Sequence, residues 1–249
     1  MERNLINYRA HDSQLLLDLS CDDVDMEAVD TFFRVCDNKA LKDLRKDKGL
    51  DYILSSINAG EFHDGEFKLN VAGALFFAKD ISKFNIAHEV KMVKFVDSKD
   101  IANVEKVNSN KSLLRLLHEA LIFLDNNTHH VLHIEGFKRE TIDEYPEEAI
   151  REALVNALAH RDYSIASAPI TFYIYRNRIE IKSPGRLEFP LKVSDLESHD
   201  PIHRNKMICS IFSQTEYMEH IGTGIKRMKD AMVDNGLREP KLEEDGEFL

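Results

Sequence analysis

The sequence predicts an α/β protein of the α+β kind, in two parts that meet near residue 137. Two observations predict the class. Apolar residues recur at helical spacing in four separate stretches. Between them lie short β-branched and aromatic runs bounded by turn residues. A third observation sets the boundary: near Tyr145 the chain shifts to a helix, a hairpin and a long Pro/Gly loop. The expected division is 1–137 for a mixed helix and strand region, linker-like to about 25, and 138–249 for the second part.

Residues 1–25 are polar and acidic, with Asp18, Asp22, Asp23 and Asp25 close together, and read as a loose lead-in. Met26, Val29, Phe32, Phe33 and Cys36 then mark a first helix. Leu50, Ile53, Leu54 and Ile57 mark a second, stopping near Gly60. Asn70 can cap a short helix over 71–78, although a buried strand fits the same apolar run. Residues 89–96 read as a strand, 110–124 as a helix with leucines along one face, and 130–137 as a strand. Pro146 suits the first turn of a helix, and Glu147 and Glu148 suit its positive end; this helix runs to about His160. Strands near 169–175 and 178–183 flank a turn at Arg176 and Asn177. Residues 184–203 form a long loop with Pro184, Gly185, Pro190 and Pro201. Helices follow at about 205–214 and 224–235. The final Glu247-Phe248-Leu249 reads as a strand cut short.

Composition narrows the function classes. Apolar residues make up 43% and charged residues 31% of 249, ordinary values for a globular protein with a real core. No apolar run reaches a membrane span, and Arg3, Arg9 and Asp12 interrupt any signal-like segment. A net charge of −11 repels the phosphates of a duplex, so DNA is expected to be contacted only through regions outside this chain. Three widely spaced cysteines, Cys21, Cys36 and Cys209, argue against a disulfide framework and a four-cysteine zinc site, and place the chain in the reducing cytoplasm.

The chemistry concentrates on residues 147–163. At about 100° per residue, Glu152, Asn156 and His160 fall within about 80° of one another. Ile150, Ala153, Leu154, Ala157 and Leu158 take most of the opposite arc. The plain reading is a solvated face over a core stripe. Two features point past it. Asn is a poor mid-helix residue, and small Ala149, Ala153 and Ala159 leave room beside the polar row. A Glu with an Asn one turn later offers a carboxylate for a water and an amide oxygen for Mg²⁺.

Glu152-x-x-x-Asn156 resembles the first ATP-binding box of the GHKL superfamily, which includes gyrase, MutL and histidine kinases. REALVNALAHRDY, then IEIKSPG, then EHIGTGI, resembles the RecG-type C-terminal domain of Schlafen/AlbA-type transcriptional regulators. The resemblance covers about 145–249, and 50–137 resembles the region that usually precedes it. It implies a two-layer α/β sandwich, with helices on one face of a mixed sheet. It implies ATP and Mg²⁺ as cofactors, Glu152 polarising the attacking water and Asn156 holding the ion. It further implies Gly222 and Gly224 opening a helix toward the phosphates, with Gly185 at the matching strand end beside the nucleotide; His160 and Arg161 end their helix, where the dipole alone favours cations, and a phosphate contact by either is the alternative. The glycines make physical sense there, because they admit close backbone approach at a helix N-terminus. One departure stands out: the matching strand end reads Ile181-Lys182-Ser183-Pro184-Gly185, without the Asp that contacts adenine in that superfamily.

Two function classes follow. The first is a nucleotide-binding regulatory domain, a slow ATPase at most, working as a homo-oligomer. The second is a degenerate module serving dimerisation or protein interaction. No G-x-x-x-x-G-K-[ST] loop is present, so helicase motor activity is set aside. His129, His130 and His133 lack a completing ligand by spacing and are not read as a metal site. Arg204 and Asn205 read as a helix start or a pocket edge, and Lys226 and Arg227 as solvated.

Overall fold

The computed structural model describes residues 11–84, 86, 88–96, 101–107, 111–135, 138–197, 202–218 and 223–249. Three helices open the chain: α1 (Met26–Val35), α2 (Lys39–Asp47) and α3 (Leu50–Ser56). Asp25 caps α1 by accepting from the Glu27 amide, and Asn38 caps α2 by accepting from Leu41. A hairpin of β1 (Gly60–His63) and β2 (Glu66–Leu69) follows, turning through Asp64 and Gly65 at φ 51° and 84°. Two positive φ angles make a turn whose twist matches its strands. Asn70 then caps α4 (Val71–Phe77) through the Gly73 amide, and every residue of α4 is buried.

The main sheet has four strands in the order β4 (Ile101–Val107), β3 (Val90–Phe95), β7 (Ile170–Ile174), β8 (Ile179–Lys182). The β3–β7 pair is parallel and the other two are antiparallel, so the sheet is mixed. It draws strands from both sides of residue 137. A separate hairpin joins β5 (His130–Glu135) to β6 (Lys138–Asp143). Along β7, Ile170, Phe172 and Ile174 are buried while Thr171 and Tyr173 are half-buried, the alternation of a sheet with one packed face. Helices α5 (Leu113–Asn127) and α6 (Glu147–His160) pack against these strands, making a two-layer α/β sandwich. The Phe123 and Phe172 rings meet edge to face at 5.9 Å across the layers. Two last helices, α7 (Lys206–Phe212) and α8 (Gly224–Asp234), pack on α6.

The first described residues correct one expectation. Residues 11–24 are not a loose lead-in: Leu16, Leu19 and Val24 are buried in the core. Asp12 is fully buried, and its Oδ2 accepts the amides of Met207 and Ile208 at 2.6 and 3.2 Å. The segment is a strap that holds the start of α7. At the other end, residues 247–249 lie beside 183–185, with Ser183 and Leu249 exchanging both backbone hydrogen bonds at 2.7 and 3.0 Å.

Candidate ligand cavity

Helices α6, α7 and α8, the end of β8 and the loop residues 185–196 and 202–204 enclose a cavity of about 520 Å³. That volume suits a small-molecule ligand. The polar row of α6 faces it, and Glu152, Asn156 and His160 all line it. The core side of α6, with Ile150, Leu154 and Leu158, is buried. Of the small residues expected to leave room, Ala153 lines the cavity. Ala149 and Ala159 instead face the core at 1% and 0% exposure.

At one end of the cavity α8 closes on α6. Gly224 is the first residue of α8, and a Cβ there would sit 1.8 Å from Glu152 Oε1. Only glycine lets the start of α8 approach the carboxylate this closely, and the positive end of the helix then faces a negative charge. Asn156 Nδ2 donates to Glu152 Oε1 at 2.9 Å. Arg227 pairs with Glu152 Oε2 at 3.4 Å, so the expectation that Arg227 is merely solvated is corrected. Glu152 keeps only 14% of its side-chain exposure.

At the other end, His160 stacks on His203 with centroids 5.5 Å apart and planes 23° off parallel. Cys209, from α7, joins them: one donor atom from each of the three lies within 4.8 Å of the others. Burial holds His160 down to about 4, with His203 and Arg204 adding repulsion. Burial likewise pushes the Cys209 thiol up to about 12. Both groups are therefore neutral at pH 7. Asn205 fixes this end of α6, because its Nδ2 donates to the Ala159 and Arg161 carbonyls at 2.9 and 2.7 Å.

The remaining expected site residues separate. Gly185 lines the cavity at φ +117°, and a Cβ there would meet Asp162 Cβ at 2.9 Å, so close packing alone demands glycine. Arg161 is corrected: it is fully buried and not part of the cavity wall. Its Nη2 donates to the Ile165 and Ala168 carbonyls at 2.8 Å each, which holds the turn after α6. Gly222 lies outside the described residues. Ser183, in the strand end that lacks the adenine-contacting Asp, donates its hydroxyl to the Ala157 carbonyl at 2.8 Å. Arg204 proves to be the clamp of the loop. Its guanidinium reaches Asp162 at 2.9 Å, Glu188 at 2.8 Å and the Arg186 carbonyl at 2.7 Å.

Residues 167–249 match the model of a HATPase-type family described as "Putative ATP-dependent DNA helicase recG C-terminal". This third of the chain is therefore RecG C-terminal-like, and the match begins after the helix that carries Glu152 and Asn156. No curated protein matches the chain. Among solved structures, the DIP2311 protein from Corynebacterium diphtheriae is similar, with a TM-score of 0.79 and 22% identity. The alignment covers 96% of this chain and 46% of that one, so this chain spans about half of that protein's length. Identity at this level shows the shared fold alone. Among the described residues no helix is long and apolar enough to cross a membrane.

Proposed function

We propose that the cavity is a nucleotide site, with MgATP as the preferred ligand, in a regulatory domain of a transcriptional regulator whose DNA contacts lie outside this chain. The observation that carries the reading is the convergence of Glu152, Asn156 and Gly224 on one ligand-sized cavity. The HATPase-type match over 167–249 supports it. The donor set fits the ion and the triphosphate. Asn156 spends its amide nitrogen on Glu152, leaving Oδ1 for Mg²⁺. The start of α8 supplies a positive dipole end. The base end is less equipped, since Ser183 offers a hydroxyl where a carboxylate would bind an exocyclic amine.

MgATP supplies a γ-phosphoryl group that water can attack. In this chain Glu152 would orient that water and accept its proton, and Asn156 would hold the ion. Glu152 must first be freed from Arg227 and Asn156, so turnover is slow. The loop 185–197 would exclude water from above, held by Arg204. We further propose that the domain works as a homo-oligomer.

A second reading has its own observation. Glu152 is already satisfied by Asn156 and Arg227 at the start of α8, as in a fold-stabilising contact. In that reading the domain is a non-catalytic interaction module. Thermal shift with ATP, ADP and GTP, with and without Mg²⁺, separates the two. A nucleotide at 100 times its Kd adds about 2.7 kcal/mol, which moves the midpoint by about 5–10 °C for a chain of this size. No shift at millimolar MgATP rules out the nucleotide reading and leaves the interaction module.

A further inference from the structure

The geometry points to a second site at the far end of the same cavity: we propose that His160, His203 and Cys209 bind one Zn²⁺ ion, with its fourth position open to the cavity. The inference is independent of the nucleotide reading. Two observations carry it. Donor atoms of all three side chains lie within 4.8 Å of one another, from three different places in the fold. His160 ends α6, His203 sits in the loop before α7, and Cys209 lies one turn into α7. Second, His203 Nδ1 is buried with no hydrogen-bond partner among the described residues. An imidazole nitrogen withdrawn from water without a partner is unfavourable, and a metal ion is one way to satisfy it.

Two imidazoles and a thiolate suit a borderline cation. Mg²⁺ and Ca²⁺ prefer oxygen donors, whereas Zn²⁺ takes nitrogen and sulfur in tetrahedral sites. Zinc bonds of about 2.0–2.3 Å set their donors roughly 3.3–3.8 Å apart, so the group has to close by at most roughly 1–1.5 Å. His203 can supply that movement, because its loop position is only half-buried while Cys209 and the end of α6 are fixed in the core. Nearby positive charge does not forbid the ion. Arg204 is neutralised by Asp162 and Glu188, and Cys209 becomes a thiolate on binding, its proton passing to solvent. Three protein ligands leave a fourth position, and all three residues line the cavity, so a water or an anionic oxygen of a ligand would fill it.

The test uses the whole 249-residue chain, stripped with chelator and titrated with Co²⁺ as a spectroscopic probe for zinc. One equivalent should give intense tetrahedral visible bands and a near-ultraviolet thiolate-to-cobalt absorption, both displaced by Zn²⁺. Cys209→Ser should remove the thiolate absorption, and Cys36→Ser should leave it intact. His203→Gln, a change at a half-exposed loop position that keeps the fold even if the buried cysteine variant does not, should weaken Co²⁺ by more than the roughly 10- to 100-fold cost of losing an outer-shell partner. The proposal is overturned if wild type shows no thiolate-to-cobalt absorption at one equivalent, if the absorption is lost in Cys36→Ser instead, or if His203→Gln binds as tightly as wild type.

Discussion

The two ends of the α6 polar row are built differently. At the Glu152 end, the carboxylate has Asn156 and Arg227 as partners and the start of α8 closing over it. At the His160 end, two stacked imidazoles face a thiol, and His203 Nδ1 has no partner among the described residues. The difference teaches that a polar row on one helix face can serve two purposes. One end fastens a neighbouring helix, and the other holds a buried nitrogen, His203 Nδ1, without a partner among the described residues. A ligand arriving at the first end must compete with existing bonds; at the second, His203 Nδ1 has none to give up among the described residues.

The sharpest way to break the comparison is Gly224→Val. Its Cβ would fall 1.8 Å from Glu152 Oε1, so α8 must move off α6. The expected cost is about 3 kcal/mol, at the upper end for overpacking, or a midpoint lower by roughly 6–12 °C. An unchanged melting curve would mean that the contact between α8 and Glu152 is loose. Glu152→Ala comes next, at about 1.5–3 kcal/mol, because it removes the acceptor of a charged pair that is mostly withdrawn from water. This exceeds the half kcal/mol or so usual for a surface change, which is what the helical wheel alone would suggest. Chemical denaturation of the variant and wild type at equal slope measures it.

A pH-dependent effect distinguishes the His160 end. Its folded-state pKa of about 4 lies below the 6.5 of free imidazole, so between those values the unfolded chain binds the extra proton. This residue therefore costs nothing above pH 6.5, and stability falls as pH drops from about 6.5 toward 4. His160→Gln should flatten the slope in that window relative to wild type, as read from midpoints across a pH series. A slope identical in both proteins would mean that His160 is already solvated. The smallest expected effect is on DNA. With a net charge of −11, the chain should give no anisotropy change with duplex at moderate salt. Sub-micromolar binding with a steep salt dependence would reveal a basic patch that the charge total hides.

Much of the framework was legible in the sequence because local signals were strong. Asn70 offered the cap of α4, although the apolar run after it fitted a buried strand as well, and the periodicity of 147–160 announced both the core face of α6 and its polar row. Some signals were on the page but weak. Asp64-Gly65 is a hairpin turn sequence, yet strands of four residues on each side are too short for alternation to mark. Helix α2 is so rich in charge that only Leu41 is buried, leaving little apolar periodicity. Other features could not be read locally at all. The pairing of Arg227 with Glu152 joins positions 75 residues apart, and Asp12 reaches the start of α7 across 195 residues. The cluster of His160, His203 and Cys209 draws on three segments, whereas sequence spacing only exposes ligands that share one. Arg161 misled for a physical reason: a basic residue at a helix C-terminus looks like a ligand contact, but here it is buried to satisfy backbone carbonyls.

That the Glu152 end of the cavity binds MgATP through Asn156 is tested by calorimetric titration of wild type and Asn156→Ala with MgATP. Wild type should show saturable one-site binding, and Asn156→Ala a loss of about tenfold or more that disappears when Mg²⁺ is replaced by chelator, as expected if the lost interaction is worth about 1.4 kcal/mol and runs through the ion. No heat of binding by wild type at millimolar MgATP, or equal affinity in both proteins, would contradict it.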